Sequence, residues 1–339
     1  MKNYLTNKKV LVTGFNGFKG SWMCLMLFFL GAKVVGYSLN TSRNRKNEKI
    51  FGLRKVLNSI CYGDIKNFKK LRNFFLKTNP DFCIHMAAQP LVKESYKNPA
   101  YTFQTNFNGT LCLLEILRKT NVKSIIVTSD KCYENNSKKL LKESDPMGGD
   151  DPYSASKGCV ELLCKSYMKT YNLTISTVRA GNVLGGGDWS ESRLMPDIAK
   201  SIFKKKKLKI RNIHQIRPWQ HVLDVNYAYL KLLKMLNKSS KYADCYNVSP
   251  AKSHKVKEVL NHIQKNYDFS YKKIQDNFIE KKAIFLSRKK IKSLGIKNFF
   301  NFKNCINKTI LWYKTFYKNK NILNFTNKQI KDYFYYNKI

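Results

Sequence analysis

KVLVTGFNGFKGSW, Lys9 to Trp22, opens with five residues of buried-strand character and breaks at Gly14 into the spacing GxxGxxG. Glycine allows a sharp turn there, lets backbone approach a pyrophosphate, and permits close packing of the element that follows. That element, Ser21 to Leu30, is almost wholly apolar and reads as a helix pressed on a sheet. Its N-terminus would offer free N–H groups and the positive end of the helix dipole. A strand, a glycine turn and a helix in that order predict a dinucleotide site, where glycines elsewhere would predict only a tight turn. Gly14, Asn16, Gly17, Phe18 and Gly20 are the candidate cofactor contacts in this loop.

The same rhythm continues outward. Gly31 closes the helix, and Lys33 to Tyr37 is a second strand. Ile65 to Thr78 carries Phe68, Leu71, Phe74 and Phe75 at helical spacing, and Asp81 to Met86 is a strand. A helix over Thr105–Lys119, a strand over Ser124–Thr128, a helix from Tyr153 and a strand over Thr174–Val178 follow. Alternating strands and helices predict an α/β protein with a Rossmann-type, doubly wound parallel sheet. From about Gly181 the alternation loosens, and the rest is read as a smaller, mostly helical, C-terminal substrate-binding part. The division is drawn as 1–180 and 181–339, with interleaving of the two left open. The run Lys204–Lys207 is read as a solvated helix end.

Ligands of such sheets bind at the carboxyl ends of the strands. Ser38 stands after the second strand, where an acid usually meets the ribose 2′-hydroxyl; Arg43 and Arg45 would suit a 2′-phosphate. These residues alone leave NAD and NADP both open. Asp64 and Ile65 are expected along the adenine, and Ala87, Ala88 and Gln89 along the dinucleotide bridge.

The formal charge is +41, from 63 basic residues against 22 acidic ones. Only ten of the basic residues are Arg, and the lysines are spread along the chain beside Asn, Ile, Phe and Tyr. A nucleic-acid surface concentrates its Arg and Lys on one element, so this spread points to compositional bias and no nucleic-acid partner is expected. The positive field favours a small phosphate-bearing substrate. Nine scattered cysteines and five histidines form no ligand cluster, so reduced thiols and no metal are expected. The apolar stretch near the N-terminus is split by Gly14, Gly17, Lys19 and Gly20 and falls short of a bilayer span, so a cytoplasmic chain without a membrane segment is expected.

VTSDKCY, Val127 to Tyr133, delivers Ser129, Asp130 and Lys131 to a strand end, and DPYSASK, Asp151 to Lys157, starts a helix with Pro152. Tyr153 and Lys157 are four apart and share a face. A phenol, with an ordinary pKa of about 10, is a poor base at neutral pH. A neighbouring ammonium and a nicotinamide cation would both favour phenolate. Behind a GxxGxxG turn, Ser129, Tyr153 and Lys157 read as an oxidoreductase triad, with Ser129 orienting the substrate oxygen. Without that company, Asp130 would be a structural cap and Lys131 a surface charge. Cys132 is read as a packing residue.

HMAAQPLVKESY, TSDKCYE, DPMGGDDPYSASKG, RAGNVLGGGDW and IRPWQHVLD, together with the opening loop, resemble the nucleotide-sugar 4,6-dehydratase group of extended short-chain dehydrogenases/reductases, nearest its CDP-glucose branch. The resemblance runs from residue 10 to about 224. It implies NAD as cofactor, CDP-glucose as substrate, and a homodimer paired through two long helices. It implies that Tyr153 removes the O4 proton while C4 gives up hydride, and that Asp130, kept protonated by burial, serves the departing C6 hydroxyl. Lys131 stands where related dTDP-glucose enzymes carry a glutamate. It is either the C5 base, which requires a strongly lowered pKa, or a charge that steadies the enolate while Tyr133 or water takes the proton. A 4-epimerase of the same fold would need Ser129, Tyr153 and Lys157 but not Asp130 with Lys131.

For the substrate, Arg193 and Arg217 are the candidate diphosphate clamps because guanidinium offers paired donors. Gln89, Asn182, Arg211 and His221 complete the candidate set, with packing an equal reading for His221.

Overall fold

Each central strand is short and buried on both faces, and such strands require helices above and below. The computed structural model describes residues 2–134, 139–274 and 281–338. The chain runs β1 (Lys9–Thr13), α1 (Phe18–Phe29), β2 (Lys33–Ser38), α2 (Ser42–Ile50), β3 (Leu57–Tyr62), α3 (Phe68–Thr78) and β4 (Phe82–His85). After these come α4 (Gly109–Thr120), β5 (Lys123–Val127), α5 (Pro152–Tyr171), β6 (Ile175–Ala180), α6 (Val222–Lys238) and β7 (Cys245–Val248). The seven strands form one parallel sheet in the order β7-β6-β5-β4-β1-β2-β3. That order reverses between β1 and β4, and the reversal is the crevice in which doubly wound sheets bind ligands.

α1 shows why the opening stretch decides the architecture. Gly17 caps it in extended conformation, and residues 20–27 are all buried. A helix buried all round has no solvent stripe to show, because one side meets the sheet and the other meets the end of the chain. That cover is the neighbouring α6 and, of the C-terminal helices α7 (Phe302–Tyr317) and α8 (Ile322–Tyr336), the second. Phe29 stacks on Phe334 at 5.3 Å between ring centroids, and the Trp22 indole donates to the Gly186 carbonyl at 2.9 Å. Burying each large apolar side chain of α1 contributes about 1.5–3 kcal/mol.

α5 carries its start signal in Asp151, whose carboxylate accepts from the Ser154 N–H at 3.0 Å, with Pro152 in the first turn. Asn172 ends it in the left-handed conformation at φ 52°. The chain leaves the sheet after Ala180 and returns to its edge with β7, so the residues beyond 181 contribute a strand and α6 to the nucleotide-binding layer. The remaining C-terminal part is mostly helical and carries several two- and three-residue strands. Among the described residues no helix is long and apolar enough to cross a membrane.

Candidate active site

The loop after β1 is held from behind. Gly14 has φ +69°, and a side chain there would begin 2.8 Å from the Ala87 nitrogen. Any other residue would push the loop off the segment after β4. At Gly20 an added carbon would strike the Gly14 carbonyl. The first turn of α1 has no side-chain cap, so its leading N–H groups are available to an anion. This cradle fits a pyrophosphate. Thr13 Oγ1 accepts from the N–H groups of Met86 and Ala87 at 3.1 and 3.2 Å, which fixes Ala87 and Ala88 beside the loop. Phe18 is half-buried and Ile65 buried, while Asp64 accepts from the Lys66 N–H at 2.9 Å. Arg43 and Arg45 are exposed at the start of α2.

Two expected cofactor contacts turn out to be supports. Asn16 is fully buried, and its amide is taken up by Ser38 at 2.6 Å and the Leu39 carbonyl at 3.3 Å. The pair ties the loop to β2 from the inside. Gln89 is buried as well: its side chain donates to Thr102 and the Leu91 carbonyl and accepts from the Leu91 N–H. Both Gln89 N–H groups are thus spent on the chain itself, which leaves only a second lone pair of its amide oxygen for sugar or cofactor.

The end of β5 and the start of α5 meet as the sequence leads one to expect. Ser129, Asp130, Tyr153 and Lys157 are all buried. The Ser129 hydroxyl lies close enough to Tyr153 to act on its phenol, and it donates to Asp130 Oδ1 at 3.1 Å. The other Asp130 oxygen is buried and meets no hydrogen-bond partner in the protein. Such an atom is costly unless a ligand hydroxyl completes it. Lys157 donates to the Val127 carbonyl at 3.2 Å, and Lys131 is half-buried with its N–H on Ser129 Oγ at 3.2 Å.

The electrostatics depart from the expectation for Tyr153. Burial pushes its hydroxyl up to about 12, against the Ser129 hydrogen bond and the Arg193 charge, which pull it down. Burial likewise lowers Lys157 to about 8, opposed by Glu161 one turn along α5. Tyr133 is not available as a base. It is fully buried, its hydroxyl donates to Asn247 at 2.6 Å and accepts from Arg179 at 2.8 Å, and burial pushes it well up.

Three contributors escaped the sequence reading. Lys19 in the glycine loop is lowered to about 7 by desolvation and by the charges of Lys157 and Arg193, with Asp130 opposing, which puts it beside the catalytic group. Its place inside the quoted loop was a usable signal. Glu161, four residues after Lys157 and therefore on the same face, pairs with Arg179 at 2.8 Å and accepts from Thr177 at 2.7 Å. Asn106 joins Gln89 to Ser156 at 2.9 Å from within a π-helical turn, Gln104–Asn108, which no residue pattern announces.

Among the substrate candidates, Arg193 fits best. It is half-exposed, reaches Asp188 at 3.4 Å and the Pro90 carbonyl at 3.2 Å, and its charge acts on Tyr153. Arg211 donates to the Ser192 carbonyl at 3.3 Å, and Asn182 is half-exposed with its carbonyl on the Gln220 N–H. Arg217 is only 3% exposed and lies along backbone, 2.9 Å from the Ile216 carbonyl. His221 is a correction: fully buried between Trp22 and Phe300, it packs and cannot touch a sugar.

The sequence profile of the family described as GDP-mannose 4,6 dehydratase matches residues 11–298. The CDP-glucose 4,6-dehydratase of Salmonella typhimurium is 42% identical over 262 residues, 74% of this chain and 73% of that protein. The dTDP-D-glucose 4,6-dehydratase of Bos taurus is 26% identical across 92% of this chain and 90% of its own. In fold, the dTDP-glucose 4,6-dehydratase of Bacillus anthracis in complex with NAD superimposes with a TM-score of 0.80 at 22% identity, covering 94% of this chain and 99% of that one. The UDP-glucose 4-epimerase of Thermus thermophilus with NAD gives 0.81 at 24%, covering 90% and 99%. A phosphate cradle, a Tyr–Lys pair and kinship over most of its length make the chain a member of the NAD-dependent nucleotide-sugar epimerase and dehydratase family, on its 4,6-dehydratase side.

Proposed function

We propose that this chain is a CDP-glucose 4,6-dehydratase, a lyase that converts CDP-D-glucose into CDP-4-keto-6-deoxy-D-glucose and water. The observation that carries the reading is the turn on which Asp130 and Lys131 follow Ser129, set against Tyr153 and Lys157. An oxidation set and an elimination set share one strand end. An epimerisation would leave the second set without work. The 42% identical relative supports the same choice and supplies the cytidine nucleotide.

NAD, cradled by the β1–α1 loop, supplies a reversible hydride store between C4 and C6. Tyr153 takes the O4 proton, and Ser129 holds that oxygen through the hydroxyl it shares with Asp130. Lys157 supplies positive charge beneath the reacting face. Once C4 is a ketone, the C5 proton is acid. Elimination breaks C5–H and C6–O and forms C5=C6, and Asp130 gives its proton to the departing hydroxyl so that it leaves as water. Lys131 is left as the group at C5, as base or as enolate support, because Tyr133 is engaged elsewhere. Hydride at C6 and a proton at C5 complete the 6-deoxy sugar, so the reaction is redox-neutral.

Residues 181–339 are taken as the substrate part, with Arg193 on the diphosphate. The enzyme works as a homodimer through the outer faces of α4 and α5, where Leu162 is 57% exposed and Tyr171 48%. Incubation with CDP-, dTDP- and GDP-glucose, with products weighed, tests the assignment: loss of one water from the CDP sugar alone is expected. CDP-glucose deuterated at C4 must yield product deuterated at C6. Deuterium retained at an inverted C4 would mean an epimerase.

A further inference from the structure

Lys281 enters the catalytic turn from the other end of the chain. It is 9% exposed, and its ammonium donates to the Tyr133 carbonyl at 2.6 Å and the Glu134 carbonyl at 3.4 Å. These two carbonyls follow directly on Asp130, Lys131 and Cys132. A buried ammonium is expensive unless its field is answered. Two carbonyls take two of its three protons without neutralising it. Burial lowers its pKa, the charge of Asp130 and the Cys132 thiol work the other way, Lys131 adds to the lowering, and Asp150 resists it. Every group in that environment belongs to the catalytic turn or to the approach to α5.

The segment that follows Lys281 is tied to the substrate strand. The Lys282 carbonyl accepts from the Ile216 N–H at 3.0 Å and faces the Arg217 guanidinium at 3.5 Å. Ile284 returns its N–H to the Ile216 carbonyl at 3.2 Å. Phe285–Leu286 then runs parallel to Leu140–Leu141, which the chain reaches soon after the turn. One short stretch therefore holds Tyr133 and Glu134, at the end of the catalytic turn, and the backbone beside Arg217.

We propose that Lys281 is a positioning residue for the elimination step, a cation lent by the C-terminal part that pins the far end of the catalytic turn at Tyr133 and Glu134, so that Asp130 stands at the C6 hydroxyl and Lys131 at C5. The role rests on the dehydratase reading above. It predicts a selective defect. C4 oxidation needs Tyr153, Ser129 and Lys157, which Lys281 does not touch, whereas elimination needs the turn it holds. Displacing a reacting group by about 1 Å costs on the order of 100-fold in rate.

The test uses the purified full chain with NAD and CDP-glucose. In Lys281→Met, kcat falls by about 10- to 100-fold while KM changes little. With enzyme in excess over sugar, reduced nicotinamide builds up at its absorbance band, because oxidation outruns elimination. Lys281→Arg restores much of kcat and abolishes the build-up. An unchanged kcat in Lys281→Met overturns the proposal, as does a loss of kcat without accumulated reduced cofactor. Should Lys281→Met melt below the assay temperature, Lys281→Gln, which keeps a donor but no charge, is judged by the same two readouts. If the wild-type chain fails to dehydrate CDP-glucose, the dehydratase reading falls and takes this one with it. A normal wild type beside a normal Lys281→Met refutes the role of Lys281 alone.

Discussion

Lys157 sits on a titration edge. Its ammonium is whole below about 8, the value to which burial lowers it, and is lost as pH rises through that value. If the proposed reaction uses that cation to support the Tyr153 phenolate, kcat should fall on the alkaline side with a midpoint near 8. In Lys157→Arg, whose guanidinium does not titrate there, that limb should vanish from whatever rate remains; a pH profile of kcat checks both. Asp130 is the other decisive side chain. In the proposed reaction Asp130→Asn removes the donor at the C6 hydroxyl but keeps the shape, so kcat should drop by about 100- to 10,000-fold. Oxidation at C4 should survive, visible as reduced nicotinamide in a single turnover. These residues were legible because covalent spacing delivers them: 129, 130 and 131 are neighbours, and 153 and 157 share a helix face. Gln89, Asn16 and His221 misled for a complementary reason. They stand in the right stretches, but partners far off in sequence, such as Thr102, Ser38 and Phe300, take up their polar atoms or enclose them. Spacing along a chain carries no record of such partners.

At the level of the element, the β1–α1 turn is the part that tolerates least. Gly14→Ala would place a carbon against Ala87 at a left-handed φ, costing on the order of 1–3 kcal/mol. Its effect should be sharper on cofactor binding than on folding: NAD should raise the melting temperature of the wild type far more than that of the variant, as thermal denaturation with and without NAD would record. The other strands and helices up to β6 could be read from apolar runs and caps, with boundaries shifted by a few residues, but the polar α2 and the half-exposed β3 could not. The helix expected from Ile65 begins at Phe68 because Asn67 caps it, accepting from the Lys70 N–H at 3.0 Å. The helix expected from Thr105 is regular only from Gly109, after the π-helical turn. β7 went unread: Cys245–Val248 is four residues long, and only its place beside β6 makes it a strand.

Across the whole molecule, the outer face of α5 leaves Leu162 and Tyr171 exposed where a partner copy would cover them. Leu162→Glu should shift a dimer towards monomer, measured by size exclusion with light scattering, while the melting temperature of the monomer stays close to that of the parent because more than half of the residue is exposed within the chain. A variant that remains dimeric would move the interface elsewhere. The covering of α1 by α8 also bears on how the protein is born. Synthesis proceeds from the N-terminus, so Phe29 leaves the ribosome about three hundred residues before the Phe334 it stacks upon. During that interval α6 can already pack beside α1, but the apolar end of α1 around Phe29 waits uncovered until α8 has been made.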